Sequence, residues 1–362
     1  MNKPDYTLII LIGIFVVFGF IMLTSATAPV AIDKFNDSYH YVKKQLLNGF
    51  LPGVILFIVL SRLDYRILKK YSNYIFLGAL ILLSATFIPG LCESFGKARS
   101  WINVFGFFSF KPSEIAKLAV ILFFAAWLEY RSEKKFSDRQ TLARFLTMLG
   151  MVAGLIMLQP DLGTMSIIVL TGLLMYFISG APLAYFGGIG AAAVLAFFAL
   201  IKVAPYRMAR LTVFLNPSTD PQGIGYHLNQ ALLAIGSGGL LGVGLGHSLQ
   251  KFQYLPVVYA DSLFAIIGEE LGFVFCLLFM VGLIIFAVKG LRVAFRAPDA
   301  FGKFTAAGIT SWIVAQSFVN IAAMLALIPI TGLPLPFISY GGTAMMVTLA
   351  GSGILVNISR WA

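Results

Sequence analysis

Residues 8–28 read LIILIGIFVVFGFIMLTSATA, an apolar run with no charged residue. A helix rises about 1.5 Å per residue, so about 20 such residues cross the hydrocarbon core of a bilayer. The run is therefore long enough to be a membrane-spanning helix. Its end, Ser25-Ala26-Thr27-Ala28, imitates the small-residue cleavage site of a secretory signal. Three features predict a retained helix instead: the spanning length, Lys3 as the one basic residue ahead of it, and Pro29 just beyond.

The remaining sequence repeats this pattern. Of 362 residues, 59% are hydrophobic and 11% charged, and the mean hydropathy is +0.90. An ordinary soluble chain carries about 25% charged residues, so a soluble globular protein is excluded. A transmembrane β-barrel would show short alternating segments, whereas these runs are uninterrupted and helix-length. The expected fold is an all-α polytopic membrane protein forming one domain over 1–362, with about ten transmembrane helices. The candidate spans are 7–28, 45–62, 73–91, 113–130, 144–158, 162–180, 184–203, 262–289, 304–327 and 341–360.

Charge sets the orientation. With the N-terminus in the cytoplasm, the connections 62–72, 130–143, 181–183 and 290–303 are internal. They hold Arg62, Arg66, Lys69, Lys70, Arg131, Lys134, Lys135, Arg139, Arg292, Arg296 and Lys303. Positive residues concentrate on cytoplasmic loops, so this orientation is favoured, and an even number of spans makes both termini cytoplasmic. The outer face then consists of 29–44, 92–112, the turn at Gln159-Pro160-Asp161, 328–340 and a large extracytoplasmic loop, about 204–261, between helices 7 and 8.

The outer face also carries cations that oppose this bias: Lys97, Arg99, Lys111, Lys117, Lys202, Arg207, Arg210 and Lys251. They could meet lipid phosphates. Their clustering among Gly, Pro, Trp and Phe favours a pocket for an anionic group. The stretch Leu228 to Leu245 is apolar and Gly-rich, which predicts packing against the bundle or the membrane interface. A net charge of +11 in such a chain does not imply nucleic acid. Cys92 and Cys276 lie in apolar runs and read as small buried hydrophobes. No repeat of 20–50 residues is visible.

Several chemistries are unsupported. His40, His227 and His247 form no His-Glu-x-x-His, which argues against a zinc hydrolase. The run from Gly236 to Gly246 lacks the Lys-Ser/Thr pair of a phosphate loop, so close packing or a turn against lipid explains its glycines better. Phe110-Lys111-Pro112-Ser113-Glu114-Ile115-Ala116-Lys117 says more. Pro112 suits a first helical turn and puts Glu114 and Lys117 on one face. They form either a local ion pair or, with Arg99, a cationic subsite for a diphosphate. Asp161 and Asp261 each precede a helix and suit N-caps, while Glu269 and Glu270 lie deeper and need partners, for which Arg207 or Arg210 are expected. Spacing leaves open which acid performs chemistry.

Taken together, these segments resemble the SEDS family of bacterial cell-wall polymerases, which includes FtsW and RodA. The stretches that carry the resemblance are Lys97–Ile102, Pro112–Lys117, Gln159–Thr164, Asn216-Pro217 with Asp220–Tyr226, Gln250-Lys251 through Tyr254–Pro256, Ile267–Gly272 and Gly332–Gly342. Each is weak alone; their order and spacing are specific. The run Gly244–Lys251 resembles FtsW more than RodA.

The resemblance implies a peptidoglycan glycosyltransferase in the bacterial cytoplasmic (inner) membrane, joining lipid II into glycan strands on the outer face. Undecaprenyl diphosphate would leave with inversion. Asp261 would be the catalytic base. Arg99, Lys117, Arg207, Arg210 and Lys251 would bind the diphosphate, with Glu114, Asp161, Glu270 and Ser339 in support. A class B penicillin-binding protein and other divisome membrane proteins are the implied partners. A divalent cation, Mg or Mn, bridging the diphosphate is chemically reasonable, although no ligand cluster demands one. The chain departs from the family in having Tyr259-Ala260-Asp261 where His-Thr-Asp is common. It also lacks a second basic residue just after Arg99.

Two other function classes remain. A lipid II flippase would need a continuous polar path through the bilayer, which the placement of charges does not show. A non-enzymatic scaffold leaves the convergence of acids and cations on one face unexplained. Within the enzyme reading, a RodA-type elongation role is the alternative to septal division.

Overall fold

The computed structural model describes residues 3–95, 98–104, 108–134, 138–203, 205–216, 219–220, 223–252 and 254–362. For residues 93–95, 98, 99, 104, 108, 133, 134, 194, 196–203, 205–207 and 224 it describes the backbone alone.

Each of the ten expected apolar runs contains a helix. The first helices are α1 (Tyr6–Phe35), α2 (His40–Gln45) continued by a π-helical turn (Leu46–Phe50) into α3 (Leu51–Arg62), α4 (Arg66–Ala85), α5 (Pro112–Lys134), α6 (Asp138–Leu158) and α7 (Leu162–Ile178). Two short helices, α9 (Pro205–Leu215) and α10 (Ile224–Ser237), separate α8 (Leu183–Val203) from α11 (Leu263–Arg296), α12 (Ala300–Met324) and α13 (Gly342–Ser359). Among the described residues, six helices are long and apolar enough to cross a membrane: α1, His40–Arg62, α6, α11, α12 and α13; α7 and residues 183–193 are shorter apolar helices. The chain is an integral membrane protein.

Successive spans alternate in direction. One end gathers the α1–α2, α4–α5, α6–α7, α8–α11 and α12–α13 connections. The other is closed by the Tyr65 hydroxyl donating to Asp299 Oδ2 (2.7 Å), Arg66 pairing with Asp299 (3.3 Å) and Asp5 N donating to Ser359 Oγ (3.0 Å). Of the six long apolar helices, α12 and α13 are the most enclosed. Where α13 packs on α3, a Cβ at Gly353 would lie 2.7 Å from the Phe57 carbonyl, so a small residue permits close approach.

Two expectations change. The 92–112 connection, read as a plain loop, contains a three-stranded antiparallel sheet: β1 (Cys92–Phe95), β2 (Ala98–Val104) and β3 (Phe108–Phe110), with Glu93 opposite Trp101 and Ile102 opposite Phe110. Its strands are too short to stand out against the neighbouring helical runs. Cys92 lies on this sheet and is only half-buried, whereas Cys276 is buried as expected.

The Gly-rich run does pack closely. Helix α11 breaks at Gly272 (φ 77°, ψ −177°), which leaves backbone groups without helical partners. Residues 239–244 supply them: Val243 N donates to Glu269 O, Gly244 N to Glu270 O and Phe273 N to Gly239 O, each at 3.0 Å. No side chain fits the crossing, because a Cβ at Gly242 would lie 2.2 Å from Glu270 O. Leu240 and Leu241 beside it are exposed, as suits a loop at an apolar interface. Gly242→Ala forces a side chain onto a φ of +80°. It is expected to cost at least about 1–3 kcal/mol in thermal unfolding in detergent. Gly236→Ala, with open space around its Cβ, is the neutral or stabilising control.

Candidate active site

A non-helical segment, residues 328–341, irregular at 329–335 and turned at 336–340, crosses the Asp261 end of the bundle. Deep in an apolar bundle its backbone polar groups need partners. Helix α12 provides two, since Gln316 and Asn320 are one turn apart on the same face. Gln316 Nε2 donates to Pro334 O (2.8 Å), and Asn320 Nδ2 to Leu333 O (2.7 Å). Gly341 N donates to Gln45 Oε1 (2.9 Å), and Tyr340 N to Tyr259 O (2.8 Å). Ser339 Oγ accepts from Leu335 N (2.9 Å). Ser339 thus braces the turn that precedes α13.

Asp261 sits against this segment. Asn320 Nδ2 also donates to the Asp261 carbonyl (2.8 Å), so one amide holds both backbones. The N-cap expected of Asp261 is not made; Ser262 occupies the cap position of α11 without a side-chain capping bond. Asp261 is 8% exposed, and its Oδ1 has no hydrogen-bond partner among the described residues. Burial pushes this carboxyl above the usual carboxylate range, and His227 only partly opposes the rise. Such a buried acid beside a loop end has the character of a general base. Arg210 of α9 acts on Asp261 electrostatically, and its guanidinium donates to Ile330 O (3.1 Å).

The other acids at this end have partners within the bundle. Lys251 Nζ lies 2.8 Å from Glu270 Oε1 and donates to Gly246 O (2.7 Å) and Ser25 Oγ (3.2 Å). Glu269 accepts from Leu249 N (2.9 Å) and from the Ser248 hydroxyl. Of the expected partners, Arg210 donates to Ile330 O rather than to Glu269 or Glu270, and the side chain of Arg207 lies outside the described ones. The loop plugged into the α11 break brings Lys251 and Ser248 closer. Lys251 also borders a groove of about 660 Å³, open to the side and lined by Ile21, Thr24, Ala28, Pro29, Ile32, Leu245 and Phe252.

Near the start of α5, Lys117 Nζ lies 2.6 Å from Glu114 and 2.7 Å from Gln316 Oε1, with the Trp312 ring centroid at 5.0 Å. Its side chain is 1% exposed. Of the two readings of Lys117, the local pair is realised. The diphosphate contact is not offered, because Glu114, Gln316 and Trp312 enclose the ammonium. Lys111 pairs with Asp161 (2.8 Å), which also N-caps α7 by accepting from Thr164 N (3.1 Å). Burial lowers the affinity of Lys111 for its proton, but Asp161 and Glu114 outweigh it, so the ammonium titrates above its ordinary range. In Asp161, burial raises the carboxyl and Lys111 more than offsets it, so the net direction is down.

Beside Asp261, Tyr259 stacks on Tyr41 (4.7 Å), and Tyr340 meets both edge-on. Burial, then Tyr41 and Tyr259, push the Tyr340 hydroxyl up to about 12. The backbone places Arg99 on β2 and Arg207 on α9 at this same end, their side chains being outside the described ones; Lys97 lies outside the described residues. Among the described residues, no group of three or more His, Cys, Asp or Glu side chains forms a metal-ligand set. Sequence reasoning missed Gln316, Asn320, Gln45 and His227. The amides had a usable signal, being uncharged polar groups inside apolar spans.

These features define a polytopic membrane protein with a buried carboxyl, Asp261, whose Oδ1 has no hydrogen-bond partner among the described residues, set among paired charges at one end of its helical bundle. A family model described as "Cell cycle protein" and covering FtsW, RodA and SpoVE matches residues 5–362, and the chain belongs to this family, the SEDS family. It is 41% identical to stage V sporulation protein E of Bacillus subtilis, covering 100% of this chain and 98% of the relative. It is 37% identical to a probable peptidoglycan glycosyltransferase FtsW of Geobacter sulfurreducens, covering 99% and 96%. Among solved structures, a chain of a peptidoglycan synthase complex superposes with a TM-score of 0.81 at 25% identity, covering 99% and 98%. RodA of Thermus thermophilus does so with a TM-score of 0.71 at 26% identity, covering 99% and 98%.

Two tests follow from the paired charges. Lys251→Met or Glu270→Gln alone leaves a buried charge or donor unmatched and is expected to cost about 3–5 kcal/mol; the double substitution costs less than either. Thermal unfolding in detergent measures both. For Lys111 and Asp161 the pH signs are opposite. The depressed Asp161 contributes stability above the ordinary carboxylate value of about 3.9, lost as pH falls through its lower folded value. The raised Lys111 contributes below about 10.4, lost as pH rises through its higher folded value. Asp161→Asn should remove this acid-side loss from the melting curve.

Proposed function

We propose that the protein is a peptidoglycan glycosyltransferase that polymerises lipid II, with Asp261 as its general base. The observation that carries this reading is the buried Asp261 carboxyl with a free Oδ1, held through its backbone by Asn320 at the end of the bundle where Arg210 lies. The names of the FtsW relatives support the same activity.

In this reaction Asp261 takes the proton from the 4-hydroxyl of the acceptor sugar. The freed oxygen bonds to C1 of the donor as the C1–O bond to phosphate breaks. The electron pair leaves on the diphosphate, so the configuration at C1 inverts. Arg210 offers positive charge to that leaving group, and Arg99 and Arg207 are placed on the same end to do likewise. The groove beside Lys251 suits the isoprenoid chain, with apolar walls and a cation at its edge. The paired acids, Glu114, Asp161 and Glu270, act as positioning groups.

We place the enzyme in the bacterial cytoplasmic membrane with both termini in the cytoplasm and Asp261 on the outer side, following its basic loops. A class B penicillin-binding protein is the partner we assign, by analogy with the peptidoglycan synthase complex whose fold this chain shares. Other divisome membrane proteins complete the assembly. Septal division is the role we favour from the Gly244–Lys251 run. A sporulation role is the second reading, favoured by the 41% identity to stage V sporulation protein E. Rescue of a division-defective or a sporulation-defective host separates the two.

Asp261→Asn is expected to lower glycan-strand synthesis from purified lipid II by about 10²–10⁴-fold with unchanged thermal stability. Retained synthesis would remove Asp261 from the chemistry. Retained lipid II translocation together with absent synthesis in the wild type would favour a flippase.

A further inference from the structure

His227 is absorbed by none of the motifs above. It lies in the first turn of α10, and its Nε2 is 2.6 Å from Ser262 Oγ. The Ser262 hydroxyl donates its one hydrogen to Pro256 O (3.0 Å). That hydroxyl can therefore only accept from the ring, so Nε2 carries the hydrogen and Nδ1 keeps its lone pair, a tautomer assigned from the hydrogen-bond network. Ser262 adjoins Asp261, whose backbone Asn320 fixes on the other side. The contact thus anchors the imidazole beside Asp261, whose Oδ1 has no hydrogen-bond partner among the described residues.

The electrostatics agree with this placement. Burial lowers the affinity of His227 for a proton and raises that of Asp261, and the largest charge influence on each is the other. Arg210 is the remaining charged group acting on both. Asn320 contributes no charge. Two groups so placed titrate as a pair.

We propose that His227 is a positioning residue for Asp261: held on Ser262 through Nε2, its ring takes a proton at Nδ1 on the acid side and so keeps the neighbouring carboxyl ionised and ready to take the proton of the acceptor hydroxyl. This rests on the reading of Asp261 as base. His227 forms no bond to the sugar; the hydroxyl proton goes to Asp261, and the electron pair of the broken C1–O bond leaves on the diphosphate. A protonated ring beside Asp261 favours the carboxylate, so without it the acid holds its proton to higher pH.

The test uses the full chain with its partner synthase and purified lipid II, comparing wild type with His227→Gln between about pH 5 and 8. The acid limb of the rate profile is expected to move up by about one pH unit, which makes the loss about tenfold greater at the acid end. Equal loss at every pH, or no loss, in a protein of unchanged thermal stability would overturn the proposal. A second readout needs no catalysis. The chain has three histidines, so ¹⁵N-histidine spectra can follow the imidazole of His227, assigned by its absence in His227→Gln. Its titration midpoint should fall in Asp261→Asn, and an unmoved midpoint sinks the coupling even if His227→Gln fails to fold. Strand synthesis by Asp261→Asn would instead defeat the base assignment, whichever way the midpoint moves.

Discussion

The architecture depends on how residues 328–341 satisfy their backbone within an apolar bundle. A non-helical segment of this kind has no internal hydrogen-bond ladder, and lipid or apolar side chains offer none. Gln316 and Asn320 reach it from α12, Gln45 from the α2 end, and Tyr259 contributes its carbonyl. Each bond also fixes something chemical. Gln316 simultaneously accepts from Lys117, and Asn320 simultaneously holds Asp261. The segment is therefore a tie between the structural and reactive halves of the site.

Charge is handled in the same economical way. Glu114, Asp161 and Glu270 each have a lysine within 3 Å, and Glu269 is met by backbone N–H and serine donors. Such pairs contribute little net stability over apolar packing, but an unpaired member would be costly. They hold α1, α5, α7 and α11 in register at one end of the bundle. Against that background Asp261 stands out, because burial raises its proton affinity and the charges that oppose the rise are His227 and Arg210, acting through space.

The break in α11 organises both polar and apolar features at this end of the bundle. Plugging residues 239–244 into the gap at Gly272 satisfies exposed helical carbonyls and carries Ser248 and Lys251 to the paired glutamates. The same loop presents Leu240, Leu241 and Leu249 outward and forms one wall of the groove beside α1. A polar cluster and an apolar groove are thereby built from one short connection.

The sequence by itself determined the class of fold, the ten spans and the candidate acids. Uninterrupted apolar runs admit one solution in lipid, and a charge in such a run announces itself. It also foresaw the Glu114–Lys117 pair, because helical spacing of three residues is local. Only the tertiary structure decided the partners of Glu269 and Glu270, the closing of Lys117 to ligand, the small sheet at 92–110 and the meeting of His227 with Ser262. Those contacts join residues from different elements. Lys251 is nineteen residues from Glu270, Gln316 is 199 from Lys117, and His227 is 35 from Ser262. Spacing along a chain says nothing about such distances. They are set by the helix break at Gly272 and by the segment that α12 holds in place, both of which exist only once the bundle is packed.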